Sequence, residues 1–183
     1  MKKVLFIITL VLLSFSSMAQ IQAMKFLGIS LNCTMTTFNS KLKGKGYVQD
    51  MNASKENLLV MKGMFAGEKV KVQAHCATKT HLICNVNVCF YMSTRYTYEK
   101  LKSELTEKYG DKYVEAHKVE ENKGYVPYVT DYCQWFVDQD TLTGKSNTII
   151  LSKCDYRSSA PLVISYIDAK NSHIDILEIK SDF

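Results

Sequence analysis

Two periodicities of apolar residues alternate along this chain, and each change of period predicts a change of element. Phe38 and Leu42 stand one helical turn apart behind Thr36 and Thr37, either of which can cap a first short helix, and Gly44 and Gly46 end it. The period then falls to two. Leu58–Phe65 leads into the turn Ala66-Gly67-Glu68, and Lys69–Cys76 sets Val70, Val72 and Ala74 against lysine and glutamine. Leu82–Tyr91 sets Leu82, Cys84, Val86, Val88 and Phe90 against Asn85 and Asn87, a strand with one buried and one wet face.

A helical period returns with Tyr98, Leu101, Leu105 and Tyr109, the apolar stripe of a helix from about Thr97 to Tyr109. Gly110 suits its left-handed C-terminal cap, and Lys100–Glu104 and Glu104–Lys108 are i,i+4 pairs on its polar side. Asp111–Thr130 reads as an irregular, charged connector. Strands follow at Tyr132–Asp138, Thr148–Cys154 and Leu162–Ile167. At the end, Ser172 can cap a short helix carrying Ile174 and Leu177, and the same residues also suit a strand. The expected architecture is therefore α+β: two helix-plus-three-stranded antiparallel meander units, with an internal duplication or a single unrepeated domain as the alternatives.

The first residues predict an address. Lys2 and Lys3 precede the apolar run Val4 to Leu13, and Ser17 and Ala19 are small residues before Gln20. This is the pattern of a secretory signal peptide over residues 1–19, cut before Gln20. The apolar run is short for a transmembrane helix, and no second long apolar segment follows, so no membrane span is expected after processing. Residues 20–183 then form a single α+β domain, with halves at 24–94 and 95–183. The leader takes two of the 23 basic residues and none of the 18 acidic ones, so the net charge falls from +5 to +3. No basic run marks a nucleic-acid surface. The expected location is secreted or periplasmic.

That compartment gives the six cysteines their meaning, because an even number in an exported chain points to disulfides. Six cysteines allow 15 pairings, and hairpin symmetry narrows them. Cys76 and Cys84 centre on Thr80, and Cys133 and Cys154 centre between Thr143 and Gly144, which would set Trp135 opposite Ser152 and Val137 opposite Ile150. Cys33 and Cys89 remain as the third pair, whose long loop would stabilise by about 4 kcal/mol in the chain-entropy model.

No motif carries catalysis. His75-Cys76 and His81-x-x-Cys84 form the nearest thing to a metal cluster, but residues 75 and 76 point to opposite faces of a strand, so no metal site and no cofactor is expected. His75, His81, His117 and His173 lack any nucleophile signature around them, and there is no Gly-x-Ser-x-Gly elbow or glycine-rich phosphate loop. Glu115, Glu120 and Glu121 fall in the charged connector and read as solvated. Tyrosine suits recognition, and the loop Lys123-Gly124-Tyr125-Val126-Pro127-Tyr128 presents Tyr125 and Tyr128 as a candidate binding edge. Asn32-Cys33-Thr34 and Asn52-Ala53-Ser54 fit the N-glycosylation pattern, which matters only in a eukaryotic host.

Several stretches together resemble a family of small secreted Bacteroidetes proteins of unknown function: Phe26-Leu27-Gly28-Ile29, the first helix to Lys45-Gly46-Tyr47, Met61 to Glu68, and Leu101 to Gly110. The resemblance covers most of the processed chain but rests on turns, caps and core positions, so it implies no functional residue. Asp140-Thr141-Leu142 is similar to the O-glycosylation site of exported Bacteroidetes proteins, which makes Thr141 a candidate. The helix-plus-meander pattern is similar at the level of fold to beta-lactamase-inhibitor-like and outer-membrane assembly-lipoprotein modules, which are binding modules. The functional expectation is an exported, non-enzymatic binding module for an unknown protein or glycan. An envelope hydrolase and a structural envelope component are the alternatives.

Overall fold

A computed structural model describes residues 22–92, 94–120, 128–138, 145–154 and 161–172; of 118–120, 128–130 and 154 it describes the backbone alone. The candidate leader 1–19, Tyr125 and Thr141 lie outside the described residues. The chain begins with a two-stranded hairpin, β1 (Lys25–Phe26) and β2 (Ile29–Ser30), followed by helix α1 (Met35–Lys43). Then come β3 (Val48–Gln49), β4 (Leu58–Phe65), β5 (Glu68–Cys76) and β6 (Ile83–Phe90). Helix α2 (Arg95–Tyr109) leads into β7 (Tyr113–Glu120), β8 (Tyr128–Val137), β9 (Asn147–Cys154) and β10 (Leu162–Ile167).

The last eight strands form one antiparallel sheet in the order β3-β4-β5-β6-β10-β9-β8-β7. This overturns the expected α+β pair of helix-plus-three-stranded meander units. The protein is mostly β, and its two halves share a single sheet through the β6–β10 seam, where Leu162 pairs with Phe90 and Ile167 with Asn85. The physical reason is twofold. The seam joins residues more than seventy positions apart, which no local periodicity reports. Each half also contributes an edge strand without a clean apolar alternation: β3 is two residues long, and β7 carries charge where the connector was expected.

Both helices pack on one face of the sheet. Phe38 and Leu42 of α1 and Tyr98, Leu101 and Leu105 of α2 join Val70, Val72, Val86, Val88, Ile149, Leu151 and Ile164 in one buried cluster. The β1–β2 hairpin closes the same side. Its Phe26 is fully buried, with ring centroids 5.9 Å from Phe65 and 5.3 Å from Tyr166. Each helix starts earlier than its apolar stripe suggests. Thr34 caps α1 and Thr94 caps α2, each accepting a hydrogen bond from the backbone N–H three residues on. Gly110 does end α2, but at φ +92° and ψ 169°, a positive-φ extended conformation in place of the expected left-handed helical cap.

A buried polar latch ties the two ends of the fold together. Asp168 accepts from the backbone N–H groups of Met24 (3.1 Å) and Asn171 (3.0 Å). Asn171 donates to the Ile83 carbonyl at 2.9 Å, and Asn147 donates to the Gln22 carbonyl at 2.6 Å. All three side chains belong to residues no more than 2% exposed. Their polar atoms are matched, as burial demands.

Candidate binding surface

The strand registers assign every sheet residue to a face. The face away from the helices carries Val60, Lys62 and Met64 of β4, Lys71, Gln73 and His75 of β5, and Asn85, Asn87 and Cys89 of β6. It continues with Val163 and Ser165 of β10, Ile150 and Ser152 of β9, Tyr132, Gln134 and Phe136 of β8, and Val114 of β7. No described helix packs on this outer face. Its centre is a polar row, Gln73, Asn87, Ser165 and Gln134, interrupted by Ile150. Exposed apolar side chains sit at both edges: Val48 and Met64 on one side, Val114 and Phe136 on the other, each more than half exposed.

Electrostatics differ between the two ends. Lys62, Lys69 and Lys71 cluster near β4 and β5, where Lys62 forms an ion pair with Asp50 at 2.8 Å. That bond, helped by the Ala53 N–H, holds the Asp50 carboxyl below the usual carboxylate range. Half-burial lowers the His75 pKa, so the imidazole favours its neutral form. The side-chain oxygen of Asn85 is buried with no hydrogen-bond partner, which costs about 1–3 kcal/mol.

The cysteines do not fall as hairpin symmetry predicts. In the β8–β9 hairpin Cys133 faces Leu151 and Cys154 faces Thr130, a register three residues away from the expected one, and Trp135 faces Ile149 instead of Ser152. In the β5–β6 hairpin the register shifts between His75 and Cys76. Cys76 consequently pairs with Ile83, whose side chain takes the core position expected of Leu82 and Cys84. Cys33 packs beside the core, whereas Cys89 lies on the outer face with its thiol 3.5 Å from Gln73 Oε1. No disulfide joins the cysteines among the described residues.

On the helix side, sequence reasoning missed a small polar cluster. Lys102 of α2 bonds Glu115 of β7 at 2.9 Å and lies over the Tyr113 ring, and the bond to Glu115 raises the lysine pKa. His117 Nδ1 lies 2.6 Å from Asp131 Oδ1 across the β7–β8 pair. Cys133 sits beside them, fully buried, within 3.3 Å of the Tyr98 hydroxyl. Burial pushes the Cys133 thiol pKa up, which disfavours the thiolate a nucleophile requires. Recognising β7 as a strand would have revealed this cluster, because Glu115 and His117 then fall on one face.

Among the described residues, no three His, Cys, Asp or Glu side chains converge to hold a metal. No described helix is long and apolar enough to cross a membrane. Tyr128, one half of the candidate recognition loop, opens β8 opposite Glu120. No protein-family model, curated protein or solved structure matches this chain.

Proposed function

We propose that this chain is an exported, non-enzymatic binding module that engages a protein partner through the outer face of its eight-stranded sheet. One observation carries the reading: a continuous face on which no described helix packs, polar at its centre and edged by exposed Val48, Met64, Val114 and Phe136. Seven strand spacings of about 4.8 Å and about 20 Å of strand length give roughly 700 Å², close to the ~800 Å² that one partner contributes to a standard interface. The central row carries no formal charge, in line with the charge depletion of interface cores, and exposed Met64 and Phe136 are of types enriched in interfaces. Export is supported by the leader-like start and by the resemblance to small secreted proteins.

The test is capture from the organism's own envelope and medium with three baits: the processed chain, a Gln134→Lys/Phe136→Lys variant, and a Glu99→Lys variant on the exposed side of α2. A protein retained by the first and third baits and lost with the second supports the proposal. Equal retention by all three moves the interface off this face. A captured glycan, or turnover of an ester, peptide or glycoside substrate, replaces the reading with one of its alternatives.

A further inference from the structure

The side of the molecule that holds the helices contains a second feature, independent of the outer sheet face. Between the β1–β2 hairpin and α2 lies a cleft of about 210 Å³. Its walls are apolar: Leu27 from the hairpin, Phe65 from β4, Leu101 and Leu105 from α2, and Ile164 from β10. Three polar residues complete it: Tyr166, Lys108 and Glu104. Tyr166 is 4% exposed, and its hydroxyl makes no hydrogen bond among the described residues. Lys108 forms no ion pair among the described residues; its ammonium rests only on the Tyr109 ring, 5.0 Å from the centroid. Lys108 also lines a neighbouring cavity of about 260 Å³ together with Lys25 and Asp138, so it stands where the two spaces meet.

Size and chemistry together select a ligand. A dry cavity of about 150 Å³ takes benzene, so about 210 Å³ takes one aromatic ring with a short substituent. The Tyr166 hydroxyl, which has no protein partner among the described residues, can donate a hydrogen bond to an acceptor on a ligand. An unpaired cation at the mouth favours an anion, and Glu104, which also lines the cleft, leans toward Lys100 at 3.9 Å. We propose that this cleft is a binding site for a small monocyclic aromatic carboxylic acid, with the ring among Leu27, Phe65 and Leu105 and the carboxylate between Tyr166 and Lys108. The hairpin supplies the remaining wall through a left-handed turn at Leu27 and Gly28.

The experiment uses the full processed chain with phenylacetate as the acid and ethylbenzene as the neutral ring of similar size, read by saturation-transfer NMR and titration. The proposal expects phenylacetate to bind with a Kd at or below the millimolar range. Lys108→Glu should weaken phenylacetate at least tenfold and leave ethylbenzene unchanged. Leu105→Phe should displace both by filling the cleft, and because Lys108 is a surface position its variant stays informative even if the Leu105 variant misfolds. Binding of the acid that is insensitive to Lys108→Glu would overturn the assignment, and so would the absence of binding by both probes.

Discussion

Gly63 of β4 is the position where a single methyl group should have the wrong sign. In a strand interior, replacing glycine with alanine ordinarily stabilises by about 0.5–1 kcal/mol, because the unfolded chain loses freedom. Here the ring of Tyr47 lies across the glycine, and a Cβ built there would stand 2.6 Å from Cε1 and 2.8 Å from Cγ. The ring has little room to yield. Tyr47 is 4% exposed, and its hydroxyl donates to the Met64 carbonyl at 2.7 Å. Overpacking of this kind costs about 1–3 kcal/mol, and losing the hydroxyl bond adds about 1 kcal/mol. Subtracting the entropic gain leaves a net destabilisation of about 2 kcal/mol for Gly63→Ala. With an m-value of about 2 kcal/mol/M in urea, the unfolding midpoint should fall by about 1 M at unchanged m. In a Tyr47→Leu background the obstruction is gone, so the same change should be neutral or stabilising. A midpoint that stays put or rises for Gly63→Ala in the parent chain would refute the argument that the ring fixes this residue.

Three further outcomes follow from the same structure. Asp168→Ala strands two buried backbone N–H groups, those of Met24 and Asn171, and should cost about 3 kcal/mol by urea unfolding; Asp168→Asn, which keeps one acceptor, should cost about half as much. The lowered His75 pKa means the unfolded chain binds the proton more readily, so this residue's contribution is whole above about pH 6.5 and is lost as pH falls through the folded-state value; His75→Gln should flatten the midpoint-versus-pH curve in that window, and an unchanged curve would count against it. Trp135→Phe removes the indole donor to the Gly110 carbonyl (3.1 Å) from a fully buried site and should cost about 2 kcal/mol by circular dichroism.

Local rules in the sequence were enough to place much of the secondary structure. The stripe of α2, the alternations of β5, β9 and β10, and the stop at Gly110 are legible because each depends on residues within one or two turns of one another. The α1 cap was missed by two or three positions because several threonines compete there and only backbone geometry chooses Thr34, and α2 begins at Arg95, ahead of the start at about Thr97 that its apolar stripe suggests. β7 was missed for a different reason. Its Glu115 and His117 face the helix side without entering the core, bonded to Lys102 and Asp131, so an edge strand looked like a charged loop.

The outer face was legible only as polar letters between apolar ones, and its assembly belongs to the tertiary structure alone. Gln73, Asn87, Ser165 and Gln134 come from four strands, and the β6–β10 seam is what brings them into one row. The cysteines teach the same lesson about register. A hairpin's symmetry fixes which residues face each other only if the turn centre is known and no residue bulges. A shift of three in β8–β9 and an irregularity at His75/Cys76 moved every expected partner. The sequence by itself thus determined both helices, the strands with a clean apolar alternation and the sides of them that seek burial, because periodicity is short-range. The tertiary structure decided register, the union of the halves into one sheet, and the cleft beside Tyr166, because each depends on contacts between residues far apart in the chain.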